Sequence, residues 1–138
     1  MVTIKEGETA GGGYHFGYSI SGAISVVKAV NIDSKKSRIV MDSASNGVYS
    51  HNGRYFAYTT QGIDRHLALY DAQTGVTKAL SVTKGIPLCF SPDDAYLLVK
   101  NGTSGCFKIF PDTGESELLF STTCNSADIS SDGRFILF

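Results

Sequence analysis

The chain has 138 residues, 42% of them hydrophobic and 18% charged, with a net charge of −1. That balance suits a single globular domain over 1–138 and excludes wholesale disorder. No basic stripe of the kind nucleic acid requires is visible, and no run approaches the ~18 apolar residues of a membrane helix, so neither nucleic acid nor membrane is expected as a partner.

Val2–Glu6 alternates and reads as a first strand. It lacks the apolar core of a signal peptide, which makes the cytoplasm the default compartment. A piece of a longer precursor would instead be periplasmic or secreted. Gly7–Gly13 reads as a flexible loop: the Lys-Ser/Thr of a P-loop and the dinucleotide spacing are both missing. Tyr14–Ile20 reads as a strand, with Gly17 marking a bulge or close approach. Ser21-Gly22 is a turn, Ile24–Ile32 a β-prone run, Asp33–Lys36 a turn, Arg38–Met41 a strand and Asp42–Asn46 a loop. Further strands are expected near Gly47–Ser50, Arg54–Thr60, His66–Tyr70 and Val76–Ser81. A third group follows near Ile86–Phe90, Ala95–Lys100, Cys106–Phe110 and Ser116–Phe120, and Ser126–Phe138 supplies two more. No window has a convincing helical period.

One stretch occurs three times: Ser50–Phe56, Ser91–Leu97 and Ser130–Ile136, spaced 41 and 39 residues apart. Each copy has the chemistry of a tight reversal between strands. Ser and Asn/Asp accept backbone hydrogen bonds, and Gly53 and Gly133 tolerate positive φ. Asp94 stands where the middle copy should have Gly, which predicts a strained turn or one of another type. The apolar runs that follow (Tyr55–Tyr58, Tyr96–Val99, Phe135–Phe138) are nearly continuous, as in strands covered on both faces. A second mark, Leu69–Gly75, matches Ile109–Gly114, both ending in a Thr-Gly turn. Each Gly lies 16 residues before the next repeat Ser, so the length difference falls in the loop Thr60–His66 against Asn101–Gly105.

A period of about 40 residues with four short strands is the mark of a β-propeller blade. The Ser-x-Asp/Asn-Gly-Arg-Tyr/Phe and Asp-x-x-Thr-Gly segments resemble the repeats of WD40-like propellers, nearest to TolB-type and peptidase-associated ones. The Trp-Asp and Gly-His marks of true WD40 repeats are missing. The resemblance implies an all-β fold of four-stranded antiparallel blades near 2–41, 46–82, 86–121 and 126–138, the last incomplete. An open β-sheet stack or β-sandwich is the alternative. About three and a half blades fall short of the ~4 of the smallest closed propellers. Either the chain is part of a longer propeller, or copies associate so that one covers the open end of another.

Candidate chemistry is sparse. His15, His51 and His66 lack ligand spacing, and no Gly-x-Ser-x-Gly elbow is present, so no catalytic residue, metal or cofactor is assigned. Asp93 and Asp94 read as turn residues, not calcium ligands. Cys89 and Cys106 read as small core residues, whereas Cys124 lies in a polar stretch and is expected at the surface. The variable hairpin, with Gln61, Asp64, Arg65 and His66, is the candidate contact surface. Arg54 and Arg134 are equivalent; they either bind an anion or lie over the sheet and pair with a neighbouring Asp.

Three functions remain open. The first is a non-enzymatic scaffold that binds protein or peptide, or self-associates, through loops and blade edges. The second is the propeller portion of a larger enzyme or periplasmic translocation factor. The third is small-molecule or glycan binding, which would require the tyrosines to cluster on an exposed surface.

Overall fold

The computed structural model describes residues 16–21, 24–30, 35, 37–41, 44–61, 63–82, 84–102 and 104–138. The expected strand Val2–Glu6, the glycine run Gly7–Gly13, Tyr14, His15 and most of the turn Asp33–Lys36 lie outside these residues.

The described residues form strands in four antiparallel sheets. The first holds β1 (Phe16–Ser21), β2 (Ile24–Val30) and β3 (Ser37–Met41). The second holds β4 (Ala44–Tyr49), β5 (Tyr55–Thr60), β6 (Leu67–Asp71) and β7 (Val76–Ala79). The third holds β8 (Ile86–Phe90), β9 (Leu97–Lys100), β10 (Cys106–Ile109) and β11 (Ser116–Phe120). The fourth pairs β12 (Asp128–Ile129) with β13 (Ile136–Leu137). Within each sheet the strands pair in chain order, and no helix occurs among the described residues.

Successive sheets pack on one another: β2 of the first meets β4 of the second, β8 packs on β4 and β5, and β12 packs on β8. Between the second and third sheets lies the main core, with Tyr55, Ala57, Leu67, Leu69, Phe90, Leu97, Val99 and Ile109 among its buried members. The other face of the third sheet buries Leu98, Cys106 and Cys124, with Tyr96, Ile129 and Ile136 packed against them. On β9, Leu97 and Val99 therefore face one neighbour while Leu98 faces the other. This two-sided burial is why the strand runs are continuously apolar, since side chains alternate across a strand.

Three local readings are corrected. Ala44–Asn46, read as loop, begins β4. Asn46 takes a φ of 52° and the pairing with β5 shifts between Ser45 and Val48, so the polar pair sits at a bulge. Gly47 follows because a Cβ there would lie 2.2 Å from the Phe56 ring. Cys124 is buried despite its polar flanks. In the Thr-Gly turns, Phe56 pairs with Tyr70 and Leu97 with Ile109, so Tyr70, not Leu69, is the counterpart of Ile109.

Candidate functional site

The three repeat turns are built alike. The Ser hydroxyl accepts the backbone N–H five residues on, from Tyr55, Tyr96 and Phe135, at 2.9, 3.1 and 2.9 Å. It donates to the Asn52, Asp93 or Asp132 side chain. That side chain in turn accepts the N–H of Arg54, Ala95 or Arg134. These bonds hold Asp93 and Asp132 below the usual carboxylate range, the Ser hydroxyl contributing most. The left-handed position has φ of 73° at Gly53, 58° at Asp94 and 72° at Gly133. The middle turn is thus not of another type: Asp94 adopts the conformation of its Gly counterparts.

What Asp94 adds is a contact to the preceding sheet. Its carboxylate accepts the backbone N–H groups of His51 and Asn52, each at 2.8 Å, and lies 2.9 Å from the His51 ring nitrogen Nδ1. Its side chain is only 7% exposed.

On the outer side of the same turns, a groove of about 290 Å³ separates the second and third sheets. Arg54 lines it, donating from Nε and an Nη to Asp71 at 3.0–3.3 Å and stacking over the Tyr55 ring. The Asp71 hydrogen bond raises the Arg54 guanidinium further above its ordinary value. Burial pushes the Asp71 carboxyl up, but bonds from Arg54 and the Gln73 N–H outweigh it and hold the group below the ordinary range. Tyr55 donates its hydroxyl to Asp112 at 2.7 Å, and burial followed by this bond pushes its phenol up. Lys78 donates to the Pro111 carbonyl. Arg54 and Asp71 are therefore paired with each other, while Lys78 and Asp112 each bond to a neutral group, and Arg54 takes the second of its two expected roles, pairing with an Asp.

The expected site residues do not converge. Arg54 precedes β5, whereas Gln61, Asp64, Arg65 and His66 follow it, so a six-residue strand of roughly 20 Å separates them. In the hairpin the His66 N–H donates to the Thr60 hydroxyl, and His66 Nδ1 lies 3.0 Å from the Asp64 carbonyl. Asp64 and Arg65 are exposed. Arg134 lies in the turn before β13, stacked over Phe135, and among the described residues its nearest carboxylate is its own turn's Asp132, at 4.0 Å. Tyr55 and Tyr58 are buried and Tyr49 is exposed, so the described tyrosines do not gather on one exposed surface. Among the described residues, no group of three or more His, Cys, Asp or Glu could hold a metal ion.

Sequence reading places the open end of the array at the incomplete fourth sheet, and an apolar surface is exposed there. Phe135 and Leu137 are 62% and 78% exposed. They are the counterparts of Tyr55 and Ala57 on β5 and of Tyr96 and Leu98 on β9, which the next sheet covers. The signal lay in the repeat itself, once the alternation of faces is assigned.

No family model matches the chain, and no curated protein sequence does. Solved structures do. TolB from Acinetobacter baumannii matches with a TM-score of 0.68 at 12% identity, over 98% of this chain and 36% of that one. The β-propeller domain of the Trilobed protease from Pyrococcus furiosus matches at 0.65 and 14%, over 92% and 43%. A prolyl endopeptidase matches at 0.65 and 12%, over 88% and 24%. The chain spans less than half the length of each. With two four-stranded antiparallel sheets packed on each other, flanked by a three-stranded and a two-stranded one, the fold of this chain is that of a β-propeller.

Proposed function

We propose that the chain is a non-enzymatic interaction scaffold, a propeller segment completed by a second copy of itself or by further sequence. The observation that carries this reading is the exposure of Phe135 and Leu137 at positions covered in the two preceding repeats. Burying that apolar surface favours association at roughly 25 cal/mol per Å² before the costs of binding are subtracted. The His and carboxylate groups support a non-enzymatic role: His51, Asp93, Asp94 and Asp132 hold turns together. Light scattering on the purified chain, with circular dichroism alongside, tests the reading. A discrete assembly with a β spectrum supports it, and a folded monomer at all concentrations refutes completion by a second copy.

A second reading is favoured by the length comparison. The chain covers 36% of TolB and 24% of a prolyl endopeptidase. It would then be the propeller portion of a larger enzyme or translocation factor, any activity residing in other sequence.

A further inference from the structure

We propose that the groove between the second and third sheets binds a small amphipathic zwitterion, of amino-acid or dipeptide size. Lys78 takes its carboxylate, Asp112 its ammonium group, and Leu69 and Val76 its apolar part. This goes beyond the scaffold reading and is independent of what completes the fourth sheet.

Strand register builds one wall of the groove. Asp71 lies opposite Tyr55 on one side and Val76 on the other, and Leu69 lies opposite Ala57 and Lys78. Residues opposite one another share a face of the sheet, and this face lines the groove. The turn after β10 supplies the other wall with Pro111 and Asp112. Tyr55 and Leu69 are buried, whereas Val76, Lys78 and Asp112 are exposed. The floor is therefore apolar, and the charges stand at the open rim.

These rim charges do not cancel. Arg54 is committed to Asp71 at 3.0 Å. Lys78 donates to the Pro111 carbonyl, and Asp112 accepts from the Tyr55 hydroxyl. Among the described residues no ion pair reaches Lys78 or Asp112. The ammonium keeps further N–H donors and the carboxylate further lone pairs.

The third sheet shows that the repeat itself does not require this arrangement. There the counterparts of Leu69 and Lys78 are Lys108 and Glu117, which lie opposite one another. Opposite charges so placed attract across the strand pair. Lys108 also stands over the ring of Tyr96, the counterpart of Tyr55, at 4.7 Å. In the second sheet Leu69 replaces that lysine, which leaves Lys78 without an acid across from it.

The occupant follows from the placement. One cation and one anion above an apolar floor complement a molecule carrying both charges and an apolar side chain. A ligand with a single charge leaves the other rim group unmatched. The volume of about 290 Å³ is at the low end of the ~300–1,000 Å³ of ligand sites, which limits the occupant to a small one.

The test is a titration of the isotope-labelled chain followed by NMR, with leucine, Leu-Leu, N-acetyl-Leu-Leu and Leu-Leu amide as probes. Leu-Leu or leucine should give saturable shifts at the amides of β7 and of residues 112–114, with a dissociation constant on the order of 1 mM. Saturation by leucine assigns an amino-acid-sized ligand, and saturation by Leu-Leu alone a dipeptide-sized one. Acetylating the amine or amidating the carboxylate should each weaken Leu-Leu at least about 5-fold. Lys78→Met should weaken Leu-Leu by the same factor and leave Leu-Leu amide within about 2-fold of its wild-type value. Asp112→Asn should do likewise with N-acetyl-Leu-Leu as the indifferent probe. Circular dichroism checks that both variants fold. Absence of saturable shifts in the groove overturns the site. Blocked probes that bind wild type as tightly as Leu-Leu overturn recognition of both charges. Variants that weaken every probe equally overturn the assignment of Lys78 and Asp112.

Discussion

The Asp94 carboxylate accepts the backbone N–H of His51 at 2.8 Å, joining two repeat turns 43 residues apart in the chain. Its second oxygen takes the N–H of Asn52 at the same distance. A left-handed φ, which Gly would adopt without strain, is here held by an Asp whose side chain fastens the neighbouring turn.

Asp94→Gly separates these two effects. It keeps the turn free of strain and removes only the carboxylate, so the cost should be about 1–2 kcal/mol, the worth of charge-assisted bonds to partly solvated amides. Asp94→Ala loses the same bonds and meets the left-handed φ with a Cβ, adding about 1 kcal/mol. Urea unfolding monitored by circular dichroism measures both. Equal stability of Asp94→Gly and wild type would show that the cross-turn bonds contribute nothing.

The Arg54–Asp71 pair predicts a dependence on acid pH. Asp71 titrates below its ordinary value in the folded state, so its contribution is present above about pH 4 and is lost as pH falls through the lower folded value. Asp71→Asn should cost up to about 1 kcal/mol at pH 7, given that Arg54 is partly exposed. The gap between variant and wild type should close as pH falls below the ordinary carboxylate range. A gap that persists there would assign the loss to packing.

Tyr55 gives the opposite sign. Its phenol titrates above the ordinary value of about 10, so its contribution holds below that pH and falls as pH rises beyond it. Tyr55→Phe removes the bond to Asp112 and should cost about 1 kcal/mol at neutral pH. The variant should lose less stability than wild type between pH 10 and 11, read from thermal unfolding.

Burial pushes the Cys89 and Cys106 thiols up to about 11, and Cys124 is buried beside them. At pH 8 the folded chain should therefore react slowly with a disulfide reagent, and denaturant should release all 3 thiols. Rapid labelling of Cys124 in the folded chain would contradict its placement in the core.

Local chemistry made much of the fold legible. Ser50, Ser91 and Ser130 with their Asn/Asp partners form turns through bonds spanning five residues or fewer, so the repeat carries them whole. The continuous apolar runs of β5 and β9 announced burial on both faces. What failed to show depends on distant partners. The role of Asp94 requires His51 from the preceding repeat, and Cys124 is covered by residues of β8–β10 despite its Thr and Asn neighbours. The candidate site was legible only in pieces. Arg54 and the 61–66 hairpin are separate candidates in the sequence, and β5 holds them at opposite ends. The exposed face of β13 follows from the alternation of Phe135, Ile136 and Leu137, which acquires meaning once the neighbouring sheets show which face each residue takes.

The most direct measurement is hydrogen exchange at Phe135–Phe138 as a function of protein concentration. If this strand is an interaction surface, its amides should be protected at high concentration, approaching those of β5 and β9, and should lose protection on dilution. Exchange at the rate of an unstructured peptide at every concentration, with β5 and β9 still protected, would contradict the account.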